Sequence, residues 1–218
     1  MLKFENVSKR YQETGEVLRD VSFHLRRGEL AFLTGHSGAG KSTLLKLIAV
    51  MERCNKGQIF LDGENLSHAR EKHIPYLRRK MGFIYQDYKL LQDRTVFDNV
   101  ALPLVIAGYG HQEVARKVRA VLDKVGLTGK EKKFPRALSG GEQQRVGIAR
   151  AVVNKPPMII ADEPTGNLDP DLSAEIMRLF ESYQQMGVTV LIASHDISLI
   201  SRMNHRLLKL DHGQLVVS

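Results

Sequence analysis

Two acids stand at the end of an apolar run, Met158-Ile-Ile-Ala-Asp162-Glu163. A strand ending in carboxylates delivers them to the ligand-binding edge of an open α/β sheet. There Asp162 can hold Mg²⁺, and Glu163 can accept a proton from an attacking water. Upstream, Gly35-His36-Ser37-Gly38-Ala39-Gly40-Lys41-Ser42 fits G-x-x-x-x-G-K-[ST]. Its glycines let backbone N–H groups turn toward phosphate oxygens, and a following helix N-terminus adds positive potential. Lys41 then reaches the β- and γ-phosphates, the Ser42 hydroxyl ligates Mg²⁺, and Thr43 completes the run of candidate contacts. A phosphate loop alone specifies a nucleoside triphosphate, which GTPases, kinases and helicases also bind.

A third segment narrows the choice. In Leu138-Ser139-Gly140-Gly141-Glu142-Gln-Gln-Arg145, a hydroxyl and two glycines precede a helix carrying Val146, Ile148 and Ala149. Ser139 can cap that helix with Glu142 three residues on, as in a capping box. Capping does not by itself require two glycines, and a hydroxyl with two glycines at a helix N-terminus makes a second anion site. One phosphate loop and two anion sites per chain suggest that two chains share each nucleotide.

This segment resembles the signature of the ATP-binding cassette family, and the resemblance covers essentially the whole chain. It implies an α/β P-loop NTPase fold: a RecA-like core, an N-terminal antiparallel β subdomain and an inserted α-helical subdomain. It implies that Tyr11 stacks on adenine and that Gln86 senses Mg²⁺ and the attacking water. It also implies that Asp169, in Leu168-Asp169, belongs to the loop that crosses the dimer interface and that His195 is the switch residue on the γ-phosphate. Two subunits would close head to tail around two ATP molecules, each phosphate loop facing Ser139, Gly140 and Gly141 of the other copy. The family also places a cytoplasmic helix of an integral membrane partner near Gln86 and the helical segment. Tyr88 to Leu104, rich in apolar residues, fits that role. Within the family the chain most resembles a cell-division branch, with lipoprotein-release and macrolide-efflux cassettes as the alternative. The implied protein is peripheral on the cytoplasmic face of a bacterial inner membrane, attached through its partner.

The elements that must position these residues alternate as in an α/β fold. Val17, Val21, Phe23 and Leu25 recur at even spacings, as in a strand. Leu30-Ala-Phe-Leu-Thr and Val188-Thr-Val-Leu-Ile-Ala read as buried strands, and Asp62-Gly63 as a turn. Val114, Val118, Val121, Leu122 and Val125 trace one helix face, with Gly126 as its stop, and Leu172, Ile176, Leu179, Phe180 and Tyr183 trace another. We therefore expect one domain over 1–218, with an α/β body at 1–87 and 156–218 and a helical segment at about 88–155.

Bulk properties exclude other classes. The 218 residues are 43% hydrophobic and 26% charged, which suits a globular chain. No apolar run approaches the roughly 20 residues of a membrane span, and the first residues lack a signal-peptide core. The single cysteine, Cys54, fits a reducing compartment and a packing role. The net charge of +8 is concentrated at 70–94, where seven basic residues face three acids. That stretch is either a solvated face or a surface held against acidic lipid. A DNA-linked cassette would need a long coiled coil, for which there is no heptad run, so no nucleic-acid partner is expected. A module that only senses ATP would not need Glu163, Gln86 and His195 together.

Overall fold

The computed structural model describes residues 1–13 and 15–216. The chain divides into two compact units, Met1–Arg78 with Glu181–Ser218, and Arg79–Phe180.

The first unit holds two sheets. In the antiparallel one, β1 (Leu2–Tyr11) lies between β2 (Gly15–Leu25) and β4 (Lys56–Leu61), and β4 pairs with the short β5 (Glu64–Asn65). Phe4 and Phe23 stack between β1 and β2, with ring centroids 4.6 Å apart. The even spacing expected for β2 holds only over Val21, Phe23 and Leu25. A bulge shifts the register, Asp20 adopts φ 46°, and Leu18 rather than Val17 is fully buried. The second sheet runs β10 (Gln214–Val216), β9 (Arg206–Asp211), β3 (Leu30–Thr34), β8 (Thr189–Ala193). β3 pairs in parallel with both β8 and β9, while β10 is antiparallel to β9. Strands β3 and β8 are apolar along nearly their whole length, and successive residues of both are buried, so both faces are covered. Helix α1 (Lys41–Ile48) leaves the C-terminal end of β3 and buries Leu44, Leu45, Leu47 and Ile48.

In the second unit β6 (Met81–Ile84) pairs in parallel with β7 (Met158–Asp162). Gly82 allows this strand to approach the helix beside it, since a Cβ there would collide with the Ala151 carbonyl. Between β6 and β7 lie α3 (Val96–Ile106), α4 (His111–Lys124) and α5 (Gly140–Val152). The α4 face buries Val114, Val118, Val121 and Leu122 as its spacing predicts, and Gly126 follows its C-cap at φ 69°. A short helix α2 (Ile74–Arg78) precedes β6, α6 (Pro170–Gln185) follows β7, and α7 (Ile197–Met203) follows β8.

The basic stretch at 70–94 is not a uniform solvated face. The Arg78 guanidinium donates to the Ala49 and Val50 carbonyls, and Arg79 donates to the Ile106 carbonyl. Lys89 pairs with Asp87 at 2.6 Å. Arg94 pairs with Asp93 at 3.7 Å, so at least four of the seven cations are engaged within the fold or with a neighbouring acid. Cys54 is half-buried, with its Sγ 3.4 Å from the Ser67 hydroxyl. Among the described residues no helix is long and apolar enough to cross a membrane.

Candidate functional site

The candidate phosphate loop occupies the turn from β3 into α1, where an anion is best placed. Gly38 and Gly40 have φ of 81° and 106°, a region that β-carbon side chains rarely adopt. Gly40 is also fixed by packing: a Cβ there would lie 2.8 Å from Leu18 Cδ2 and 3.0 Å from the Val17 carbonyl. A Cβ at Gly35 would collide with the Leu210 carbonyl of β9, so the loop begins flat against that strand. No side chain caps α1 and no acid stands in its first turn. By contrast Thr95 and Ser139 cap α3 and α5. The α1 N-terminus thus has no side-chain cap and no acid beside it, a setting whose chemistry suits phosphate. Lys41 folds back on the loop, its ammonium donating to the Gly35 carbonyl at 2.6 Å and the His36 carbonyl at 3.3 Å. His36, Ser37, Gly38 and Ser42 are exposed, whereas Ala39 and Thr43 are buried.

Tyr11, at the end of β1, is joined to this loop by a side-chain network. Its hydroxyl donates to Glu52 at 2.5 Å and lies 3.4 Å from the Thr43 hydroxyl. Glu52 also pairs with Lys9 at 3.2 Å and Lys46 at 3.6 Å. Burial and the Glu52 contact push the Tyr11 phenol above its usual range. For Glu52, burial opposes ionisation but is outweighed by hydrogen bonds from Tyr11 and Lys9 and by the charges of Lys9 and Lys46, so its carboxyl falls below the usual range. Lys9 stands 4.8 Å from the Tyr11 ring centroid. His195 is exposed just past β8. Its neighbour Asp196 caps α7, and hydrogen bonds from the Ser198 hydroxyl and the Leu199 N–H hold its carboxyl low.

In the second unit, Asp162 ends β7 and Glu163 follows it, both half-buried. Glu163 has φ 47°. A non-glycine residue held there stores local strain, a pattern that clusters at functional positions. Its carbonyl accepts from the Gly166 N–H at 3.2 Å, closing a turn. A Cβ at Gly166 would lie 3.5 Å from the Gln86 amide nitrogen and 3.7 Å from Glu163 Cβ, so these two side chains flank one glycine. Asn167 donates to the Gln86 carbonyl at 3.3 Å. Asp169 accepts from the Leu172 N–H at 2.9 Å at the start of α6.

The capping box expected at Ser139 is present. Glu142 N–H donates to Ser139 Oγ at 3.2 Å, and Ser139 N–H donates to Glu142 Oε2 at 2.9 Å. The Ser139 N–H is the largest influence holding the Glu142 carboxyl low, with Lys130 assisting at 3.2 Å. Packing gives both glycines a reason that capping does not. A Cβ at Gly141 would strike Leu172 Cδ2, and one at Gly140 would lie 3.2 Å from the Tyr88 hydroxyl.

Two further side chains hold this region together, and a third, Glu52, serves Tyr11 in the first unit. Gln144, 1% exposed, donates to the Pro164 carbonyl at 2.7 Å and so ties α5 to the turn after Glu163. Arg150 donates to the Tyr88 and Lys89 carbonyls at 2.7 Å each, gripping two residues at φ 60° and 46° just past Gln86. Glu52 orients Tyr11. Gln144 stands in the polar first turns of α5, Arg150 in its apolar second half and Glu52 in the bend after α1, so no shared sequence pattern marks them. A cavity of about 740 Å³ lined by Thr95, Phe97, Asp98, Arg119, Gly129, Glu131 and Lys132 contains none of the candidates.

The profile of the ABC transporter family matches residues 18–166, and the chain belongs to that family. It is an ATP-binding cassette ATPase, with the mixed α/β fold of that class. It is similar to "Cell division ATP-binding protein FtsE" of Escherichia coli K12, at 58% identity over 99% of this chain and 97% of the relative. FtsE of Bacillus subtilis is 44% identical over 99% of this chain and 95% of its own. Among solved structures, a dimeric post-hydrolysis state of the ATP-binding cassette MJ0796 bound to ADP and Pi superposes with a TM-score of 0.91. It shares 32% identity and covers 100% of this chain and 97% of its own.

Proposed function

We propose that the chain is the ATPase subunit of a bacterial inner-membrane complex of the FtsE type, acting as an ATP-dependent homodimer with an FtsX-like integral membrane partner. ATP turnover would be coupled to activation of cell-wall hydrolases during division. The observation that carries this reading is the 58% identity to an FtsE, spread over 97% of that relative's length rather than confined to nucleotide motifs. That breadth favours cell division over lipoprotein release or macrolide efflux.

The roles of the phosphate loop, Asp162 and Glu163 follow from chemistry, and those of Tyr11, Gln86, Asp169 and His195 from the family resemblance. The N–H groups around Gly38, Gly40, Lys41 and Ser42 bind the phosphates, and Lys41 leaves the loop carbonyls to meet them. Tyr11, oriented by Glu52, stacks on the adenine. Glu163 accepts the proton of the water that attacks the γ-phosphate in line, Gln86 orients that water, and His195 contacts the γ-phosphate. Ser139, Gly140 and Gly141 contact the nucleotide of the opposite copy, and Asp169 belongs to the dimer contact. Mg²⁺, when bound, neutralises developing phosphate charge; Ser42, Gln86 and Asp162 offer the hydroxyl, amide and carboxylate oxygens that suit it. The whole of 1–218 then works as one cassette, with 88–155 as its helical segment.

The partner surface is the apolar face near Gln86. Leu90 and Val96 are buried in the fold, but Leu91, Leu102, Val105 and Ile106 are exposed. Such side chains fit a hydrophobic coupling helix. The test is co-purification: with an FtsX-like protein co-expressed, the wild type is expected in the membrane fraction and Val105→Asp with Ile106→Asp in the soluble one. Equal membrane recovery of both would count against this surface.

A further inference from the structure

The phosphate loop carries a side chain, His36, that meets the turn between β9 and β10. His36 Nε2 lies 3.3 Å from Asp211 Oδ1, and His212 Nε2 lies 3.9 Å from the same oxygen. The two imidazole rings are 4.9 Å apart, tilted by 55°. All three donor atoms fall within 4.8 Å of one another. We propose that His36, Asp211 and His212 form a binding site for a borderline divalent transition metal such as Zn²⁺, joining the phosphate loop to the β9–β10 turn.

The spacing suits the ion. Bonds of about 2.0–2.1 Å to nitrogen and oxygen, arranged tetrahedrally, put ligand atoms roughly 3.3 Å apart. The His36–Asp211 separation already has that value, and the exposed His212 side chain needs only a small rotation to match it. Two imidazoles and one carboxylate select Zn²⁺, Ni²⁺ or Cu²⁺ over Mg²⁺ or Ca²⁺, which prefer all-oxygen shells. Solvent exposure leaves a fourth position for water.

The tautomer suits it as well. His36 Nδ1 donates to the Ser37 carbonyl at 2.7 Å. A carbonyl can only accept, so Nδ1 carries a proton and Nε2, which faces Asp211, is the ring nitrogen left to ligate a metal. This is the outer hydrogen bond that orients a ligating histidine.

The backbone beneath is fixed in place. His212 and Gly213 adopt φ 43° and 78°, which makes a tight turn. A Cβ at Gly213 would collide with the Val17 carbonyl, and Arg19 N–H donates to the Gly213 carbonyl at 2.8 Å. The loop side is pinned by the close approach of Gly35 to Leu210 noted above. Both halves of the site are therefore held at this separation before any ion arrives, which lowers the ordering cost of binding.

The site does not depend on the nucleotide reading, so its test uses metal alone. Metal-stripped, untagged protein is titrated with Zn²⁺ by calorimetry, in wild type, His212→Asn and Asp211→Asn. Asn at 212 keeps a residue that tolerates the left-handed turn. The wild type is expected to bind one equivalent at its tightest site, and each variant to bind it at least tenfold more weakly, with unchanged thermal melting of the metal-free protein. Co²⁺ added in place of Zn²⁺ should give visible d–d bands in wild type that are lost in both variants. Zn²⁺ affinity equal in all three proteins would overturn the proposal, as would tight binding retained by both variants through other histidines.

Discussion

Replacing Gln144 by Met tests how the signature helix controls the catalytic turn. Met keeps nearly the same length and volume but cannot donate, so the substitution isolates one hydrogen bond. The Pro164 carbonyl that Gln144 serves is buried, and orphaning a buried carbonyl costs about 1–3 kcal/mol. Part of that is returned, because the Gln144 Oε1 itself has no hydrogen-bond partner and Met removes it. We expect a net loss of about 1–2 kcal/mol, roughly a five- to thirtyfold shift in the unfolding equilibrium. Urea denaturation followed by circular dichroism measures this. The catalytic effect should be larger than the stability loss implies. Pro164 follows Glu163, whose φ of 47° persists only while its surroundings hold it. A carboxylate displaced by even a fraction of an ångström loses alignment with the attacking water, so kcat should fall about tenfold or more with KM for ATP little changed. A Gln144→Met protein within 0.5 kcal/mol of wild type and of equal kcat would refute this linkage.

Glu163→Gln should retain ATP binding while phosphate release falls by about 10²–10⁴, the usual contribution of a general base; unimpaired steady-state hydrolysis would remove Glu163 from the mechanism. Lys41→Ala and Ser139→Arg should each be inactive alone, whereas their mixture should regain activity through one intact composite site per mixed dimer, as read by phosphate release. Glu52 carries a pH signature. Its folded pKa is depressed, so its stabilisation is complete above the unfolded carboxylate value of ~4.3 and is lost as pH falls through the folded one. Glu52→Gln should therefore melt below wild type at pH 7, and the two melting curves should converge under more acidic conditions. A constant gap across that range would place the role of Glu52 outside its charge.

Much of the site was legible because its signals are local. The phosphate loop announces itself through glycines between an apolar strand and an apolar helix, and β3 and α1 lie where that pattern puts them. The β7 acids and the Ser139 capping box are likewise written within a few consecutive residues. The illegible parts depend on contacts between distant segments. Leu18 replaces Val17 in the core because a bulge at Asp20 breaks the alternation, and no pattern count marks a bulge. Arg78 and Arg79 read as surface charge, yet each serves carbonyls far away in the sequence. Gly141 reads as part of an anion site, and a Cβ there would also crowd the Leu172 side chain, a contact no local pattern shows. Gln144 stands within the signature segment without a local signal for its role, and Arg150 and Glu52 belong to no motif; only the fold shows which carbonyls and hydroxyl they hold.

The proposed ATPase needs two copies of the chain to complete its active sites. The most direct test of that need is the specific ATPase activity of the purified wild-type protein across a wide range of concentration, with the association state followed in parallel by sedimentation. Activity per subunit should rise with concentration toward a plateau and track the ATP-dependent dimer. Full specific activity under conditions where only monomer sediments would contradict the account.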